Sequence, residues 1–185
     1  MNKYSSKLVI LWIAICVLGR IIPHPANVTP LTNISIFAGA KLKRGTALIV
    51  MLLALAISDI ILAYLQGHSI FGSWSLFTYS GFAAITLLGA KLKPANSLKS
   101  RLGLLSFVLS SSLGFWIWTN FGTWLCSGVY TKTATGLISC YSMALPFLQN
   151  SLLGDAAWFV IVFLAFDLIE AIKTARVAER QTRWI

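Results

Sequence analysis

Apolar runs of membrane-spanning length recur along this chain, and nearly every cationic residue is confined to the short segments that join them. In a lipid interior each backbone N–H and C=O must find its partner within the protein, so such runs are read as helices. Composition agrees: 57% hydrophobic residues, 11% charged residues and a mean hydropathy of +0.80 do not describe a soluble domain. The 185 residues hold about six spans of roughly 20 residues with short loops. The expected fold is therefore a single all-α transmembrane domain over residues 1–185.

The charges orient it. With the N-terminus inside, Lys3, Lys7, Lys41, Lys43, Arg44, Lys91, Lys93, Lys99, Arg101, Lys173, Arg176, Arg180 and Arg183 collect on the cytoplasmic side, and only Arg20 and Lys132 lie opposite. That asymmetry over short loops is the positive-inside pattern, and it places both termini inside. A net charge of +10 in a soluble protein would point to nucleic acid. Here topology and anionic headgroups account for the basic residues, and no nucleic-acid partner is expected.

Along the chain, a first helix over Leu8–Ile22 ends at Pro23, with no signal-peptidase-like site after it. The stretch Pro23–Pro30 cannot be regular helix, because each proline restricts the residue before it. Thr29-Pro30 opens a short second helix reaching Ala40. A third helix is expected over Thr46–Leu65, a fourth over Trp74–Ala90 and a fifth over Leu102–Trp118. A long outer segment, Thr119 to Gly154, then precedes a sixth helix, Ala156–Ile172, with Asp155 as its cap. Residues Ala134–Leu148 are apolar but have no basic cluster after them, so they are expected to form an outer lid or re-entrant helix between the fifth and sixth spans. The pentapeptide Gly39-Ala40-Lys41-Leu42-Lys43 recurs as Gly89-Ala90-Lys91-Leu92-Lys93. Similar helix-end chemistry explains the echo, and a duplicated transporter half is the alternative.

The polar residues gather toward the outer face. Asp59 lies in an otherwise apolar helix, so it should face the bundle interior and have a partner. About 9 Å of helix separates it from the outer turn, within reach of a water-accessible pocket. His24 and His68 have no compact ligand spacing with Asp59, and no metal is expected. Glu170 and Lys173 read as a plain helix-surface pair. Cys126 and Cys140 are either one bridge or two small buried residues. Phe115, Trp116, Trp118, Phe121, Trp124, Tyr130 and Tyr141 form an aromatic group, part interfacial belt. The interleaved Thr119, Asn120, Gly122 and Thr123 give it the mixture of aromatic faces and polar groups from which small-molecule pockets are built.

Taken in order, Pro23-His24-Pro25-Ala26-Asn27-Val28-Thr29-Pro30, Phe37-Ala38-Gly39-Ala40, Ser58-Asp59, Thr119-Asn120-Phe121-Gly122-Thr123-Trp124, Tyr130 to Leu137, and Ala144-Leu145-Pro146-Phe147 through Asp155 resemble a family of small bacterial membrane proteins of unknown function. That family is similar in size and six-helix layout to the substrate-binding S components of energy-coupling-factor vitamin transporters. The resemblance implies a pocket open to the outside, closed by loops, and docking on an ATPase module. Such docking often uses Ala-x-x-x-Ala on the first helix; here Ala14 is followed four residues later by Leu18, and Ala171 with Ala175 supplies the spacing on the last helix instead.

The function expected is therefore uptake of a vitamin-like or cofactor-precursor molecule across the bacterial cytoplasmic membrane, without enzyme activity or a cofactor of its own. His24, Asn27, Asp59, Trp116, Asn120, Trp124 and Tyr130 are the candidate ligand contacts, with Thr123–Leu148 as the lid. The partners are the small molecule, the bilayer and an energising membrane ATPase module. The alternatives are an accessory subunit that binds no ligand, packing through Ala38, Gly39, Ala40, Ala83 and Ala84, and an intramembrane enzyme using Asp59, His24 or Asp155.

Overall fold

A computed structural model describes residues 6–67, 69–92 and 97–182. Among these residues there are seven helices and no strand: α1 (Ser6–Ile21), α2 (Leu31–Lys41), α3 (Arg44–Gln66), α4 (Ser73–Gly89), α5 (Leu98–Cys126), α6 (Ala134–Met143) and α7 (Leu145–Thr182). Among the described residues, three stretches are long and apolar enough to cross a membrane: Arg44–Gln66, Lys99–Cys126 and Leu145–Val162. Val9–Ile21 is a shorter apolar helix. On α3 the exposed Ile49, Leu53, Ile57 and Ile60 recur at helical spacing. The opposite stripe, Ala47, Met51, Ala54, Leu55, Ser58 and Asp59, is buried. This chain thus keeps apolar side chains on its outside, as a lipid-facing helix must.

The short helix α2 is the hub. Leu31 to Gly39 are all buried, since α1, α3, α4, α5 and α7 surround it. Its length of 11 residues corresponds to about 16 Å, roughly half a hydrocarbon core. Irregular backbone over residues 22–30 precedes the helix. Asn27 takes a positive φ of 67°, Val28 N donates to Pro25 O at 3.1 Å and Thr29 N to Asn27 O at 3.1 Å. Pro30 leads the chain back into helix. Pro23, Pro25, Ala26 and Asn27 are exposed, Val28 and Thr29 are half-buried, and Pro30 is buried, so the stretch enters the bundle only at its end. Here Pro30 packs on Gly19 of α1 and Val28 on Gly154 of α7.

Glycine allows the tightest contact in the bundle. A Cβ on Gly39 would meet the Thr86 carbonyl oxygen at 2.0 Å, and one on Gly89 would meet Ile36 O at 2.6 Å. The glycines that open the two pentapeptide copies, Gly39 and Gly89, therefore lie where α2 and α4 press backbone to backbone. Elsewhere the helix ends follow from local chemistry. Gly67 ends α3 in the left-handed region at φ 69°. The Ser97 side chain accepts from Ser100 N to open α5, and the Thr133 side chain accepts from Gly136 N to open α6. Pro146, in the first turn of α7, prevents α6 from running into it. The core is Cys16, Leu31, Ile34, Ile36, Met51, Leu55, Phe82, Ile85, Val108 and Phe159, with the Phe82 and Phe115 rings 4.4 Å apart.

The first four helices match the sequence reading to within two residues, and two later expectations are corrected. The fifth helix does not stop at Trp118 but continues to Cys126. Its polar residues satisfy themselves on their own helix: Thr119 Oγ1 donates to Phe115 O, Asn120 Nδ2 to Trp116 O and Thr123 Oγ1 to Thr119 O. The last helix starts at Leu145, not Ala156. The expected outer segment Thr119–Gly154 thus shrinks to a loop over 127–133 and the helix α6. Asp155 is no cap: it is mid-helix and 4% exposed. Cys16, Cys126 and Cys140 are free thiols. His68, and the side chains of Glu170 and Lys173, lie outside the described residues.

Candidate functional site

Two charges stand in the otherwise apolar ends of α1 and α3, and they meet. Arg20, in the last turn of α1, places Nη1 2.6 Å from Asp59 Oδ1. The same Nη1 donates to Ser58 Oγ at 2.6 Å. Tyr79 of α4 donates its hydroxyl to Asp59 Oδ2 at 2.8 Å. Ser58 passes its own hydrogen to the Ala54 carbonyl, 2.8 Å away. Each Asp59 oxygen therefore has a donor, which is the condition for keeping a carboxylate in a low-dielectric interior. The pair is asymmetric in access, because the Asp59 side chain is 3% exposed and that of Arg20 is 17% exposed.

That asymmetry arises from a cleft. Arg20 and Asp59 form part of a cavity of about 350 Å³ whose other walls are Leu62, Gln66, Ser69 and Trp74. Gln66 ends α3 and Trp74 begins α4, so the cleft opens where these helices are joined. The volume falls at the small end of ligand-pocket sizes. An arginine fork, an amide, a hydroxyl, an indole face and an aliphatic wall together can hold a small molecule with one polar and one apolar end.

Among the residues singled out from sequence, only Asp59 lies in this cleft. His24 is half-buried in the loop after α1, with Nδ1 2.7 Å from Pro25 O. Asn27 is exposed at the positive-φ turn of that loop. Trp116 Nε1 donates at 3.0 Å to the Ala144 carbonyl at the α6–α7 break, which also accepts from Leu148 N at 3.2 Å. Asn120 is turned back onto its own helix. Trp124 Nε1 donates to Thr131 O at 2.9 Å. Lys132 sits 5.5 Å from the Trp124 ring centroid and donates to the Trp124 carbonyl. Tyr130 is half-buried in the same loop. Trp116, Trp124 and Tyr141 therefore tie α5 to α6 and the loop before it in one seam, with the Trp116 and Tyr141 rings 5.0 Å apart, whereas Phe115, Trp118 and Phe121 meet Phe82 and Phe77 of α4. Helix α6 packs on α5 and α7 and on no other described helix, so it does not cover the Asp59 cleft.

Near the seam, burial pushes the Cys140 thiol above its ordinary range, outweighing the lowering by the Trp124 backbone contact and by Lys132. Its Sγ contacts Asn120 O at 3.4 Å. Burial likewise raises Tyr141, whose hydroxyl donates to Ile117 O at 2.8 Å.

The residues that sequence reading missed are Arg20, Tyr79, Gln66, Ser69 and Trp74. For Arg20 a signal was present. It is a cation at the outer end of an apolar helix, against the charge asymmetry, and Asp59 is an acid at matching depth. Opposite charges stranded in neighbouring apolar helices are natural partners. The other four carry no distinguishing pattern before the helices are packed.

A search of curated proteins finds no match, and neither does a search of solved structures. A family described as Family of unknown function (DUF6580) matches residues 2–178, almost the whole chain, and the protein belongs to that family.

Proposed function

We propose that this is a multi-pass membrane protein that takes a small, partly polar molecule from the outer face into the Arg20–Asp59 cleft, as an S-component-like uptake protein would. The passes are α1, α2, α3, α4, α5 and α7, with both termini in the cytoplasm and α6 on the outer side. The observation that carries the reading is the ion pair set in the cleft of about 350 Å³ with Trp74 and Leu62 beside it. A pair serving packing alone would be enclosed, whereas this one keeps its arginine open to the cavity. Arg20 engages Ser58 and Asp59 through Nη1, leaving the rest of its planar fork for a carboxylate or phosphate on the ligand. Gln66 and Ser69 add neutral donors and acceptors. Trp74 offers a ring face to a vitamin-like or cofactor-precursor body.

The bilayer proposed is the bacterial cytoplasmic membrane, and the energy for release comes from a separate ATPase module. The test is native mass spectrometry of gently purified protein. A defined non-lipid mass that is lost on Arg20→Ala supports the reading. Lipid adducts alone, together with a co-purifying membrane protein, would replace it with the accessory-subunit alternative.

A further inference from the structure

A second polar cluster, on different helices, has a shortage of hydrogens. Asp155 of α7 is buried and faces α2 and α5. Ser112 Oγ of α5 contacts its Oδ2, Asn33 Nδ2 of α2 donates to its Oδ1 at 3.2 Å and to its backbone carbonyl at 3.0 Å, and Thr32 completes the ring of hydrogen-bonding groups. Asn33 is 0% exposed, yet its Oδ1 has no partner. Turning the amide over does not help. Oδ1 would then face two acceptors, the carboxylate and carbonyl of Asp155, and Nδ2 would lose both its acceptors. Ser112 poses the same difficulty, because its oxygen contacts both Asp155 Oδ2 and Val108 O, the latter at 3.1 Å. One hydroxyl hydrogen cannot serve two acceptors.

The charge is also uncompensated. The groups facing Asp155 are Ser112 from α5 and Thr32 and Asn33 from α2, none of them charged. Helix α6, also packed on α7, directs its titratable Cys140 and Tyr141 to the Asn120 and Ile117 carbonyls of α5. Arg20 is held by Asp59. The cluster sits at the start of α2, next to the irregular stretch Pro23–Pro30. In membrane proteins, broken helices of this kind bring oxygen atoms together at mid-depth.

We propose that Asp155, Ser112, Asn33 and Thr32 form a buried binding site for one small monovalent cation, a proton or Na⁺. A proton taken from water onto Asp155 Oδ2 donates to Ser112 Oγ, freeing the serine hydrogen for the Val108 carbonyl. A sodium ion is held instead by the carboxylate, the Ser112 and Thr32 hydroxyl oxygens and the orphan Asn33 Oδ1, all hard oxygen donors. Either cation neutralises the single carboxylate; the proton relieves the double demand on the Ser112 hydrogen, and sodium also engages Asn33 Oδ1. A divalent ion would leave excess positive charge, and no group of three or more His, Cys, Asp or Glu side chains occurs among the described residues. The site is independent of what occupies the Arg20–Asp59 cleft.

The experiment uses full-length protein in liposomes, by infrared difference spectroscopy between acidic and alkaline buffer, in Na⁺ and in choline. The proton form gives a carboxylic-acid C=O band on acidification, abolished in Asp155→Asn and displaced in Ser112→Ala. The sodium form gives a rise in Tm of about 3 °C in saturating Na⁺ over choline, lost or weakened in the same variants. If Asp155→Asn does not fold, Ser112→Ala, which retains the carboxyl group, decides. The proposal is overturned if wild type shows neither the band nor the Na⁺ shift, or if both variants leave them unaltered. Asp155 would then be an ionised carboxylate held by the side chains of Ser112, Asn33 and Thr32 alone.

Discussion

Arg20→Ala separates a structural ion pair from an ornamental one. The substitution leaves Asp59, 3% exposed, with Tyr79 as its remaining side-chain donor. Removing one partner of a buried pair costs about 3–5 kcal/mol, because the other charge stays behind uncompensated. Arg20 touches the cleft, so water can enter and the low end, about 3 kcal/mol, applies. At about 3 °C per kcal/mol for a chain of this length, Tm should fall by about 9 °C. The double variant Arg20→Ala/Asp59→Ala removes the orphan charge, so it should recover about 2 kcal/mol relative to the summed single losses. The assay is thermal unfolding in detergent at one scan rate, followed by tryptophan emission, for wild type, both single variants and the double. A loss below about 1 kcal/mol for Arg20→Ala, with additive singles, is the range of an exposed surface pair. That result would refute the claim that Arg20 and Asp59 hold α1 to α3.

Other expectations follow from single contacts. Gly39→Ala should destabilise by more than about 2 kcal/mol, since its Cβ falls 2.0 Å from the Thr86 carbonyl oxygen and backbone cannot step aside. Gly114→Ala, with nothing within 4 Å on a helix surface, should instead stabilise by about 0.5–1 kcal/mol; unfolding in the same detergent checks both. A membrane-impermeant maleimide should label exposed Cys126 and spare buried Cys16 and Cys140. Raising the pH mildly should not recruit Cys140, whose raised pKa keeps it a thiol; labelling from inside rather than outside would overturn the proposed topology. Trp116→Phe should cost only about 0.5 kcal/mol, the low end for a lost hydrogen bond, because the Ala144 carbonyl keeps the Leu148 N–H, read as a small increase in hydrogen exchange at the α6–α7 junction.

How far the sequence could be read depended on what kind of signal each element carried. The first four helices, bounded by proline, glycine or lysine, were placed to within two residues, because those residues act locally. The start of α5, expected at Leu102, lies at Leu98, and its end and the start of α7 were missed for one reason. Thr119, Asn120, Thr123 and Ser151 look like loop residues, but each bonds to a carbonyl three or four positions back and adds no demand on water. The interior position of Asp59 follows from the cost of exposing a carboxylate to lipid. Its partner could be named only once α1 lay beside α3. The cluster around Asp155 was not legible at all, since Asn33 and Asp155 are 122 positions apart and nothing local couples them.

The contact between Gly39 and Gly89 has a mechanical consequence. Two helices separated by a layer of side chains can shear by small changes of rotamer. Helices in backbone contact have no such lubricant, so α2 and α4 must travel as one plank. Any opening of this protein then has its fulcrum at the Gly39–Gly89 end of that plank. The displacement is left to α1, to the Pro23–Pro30 stretch, and to α6 against the end of α5, the parts that lever arms of this geometry would swing furthest.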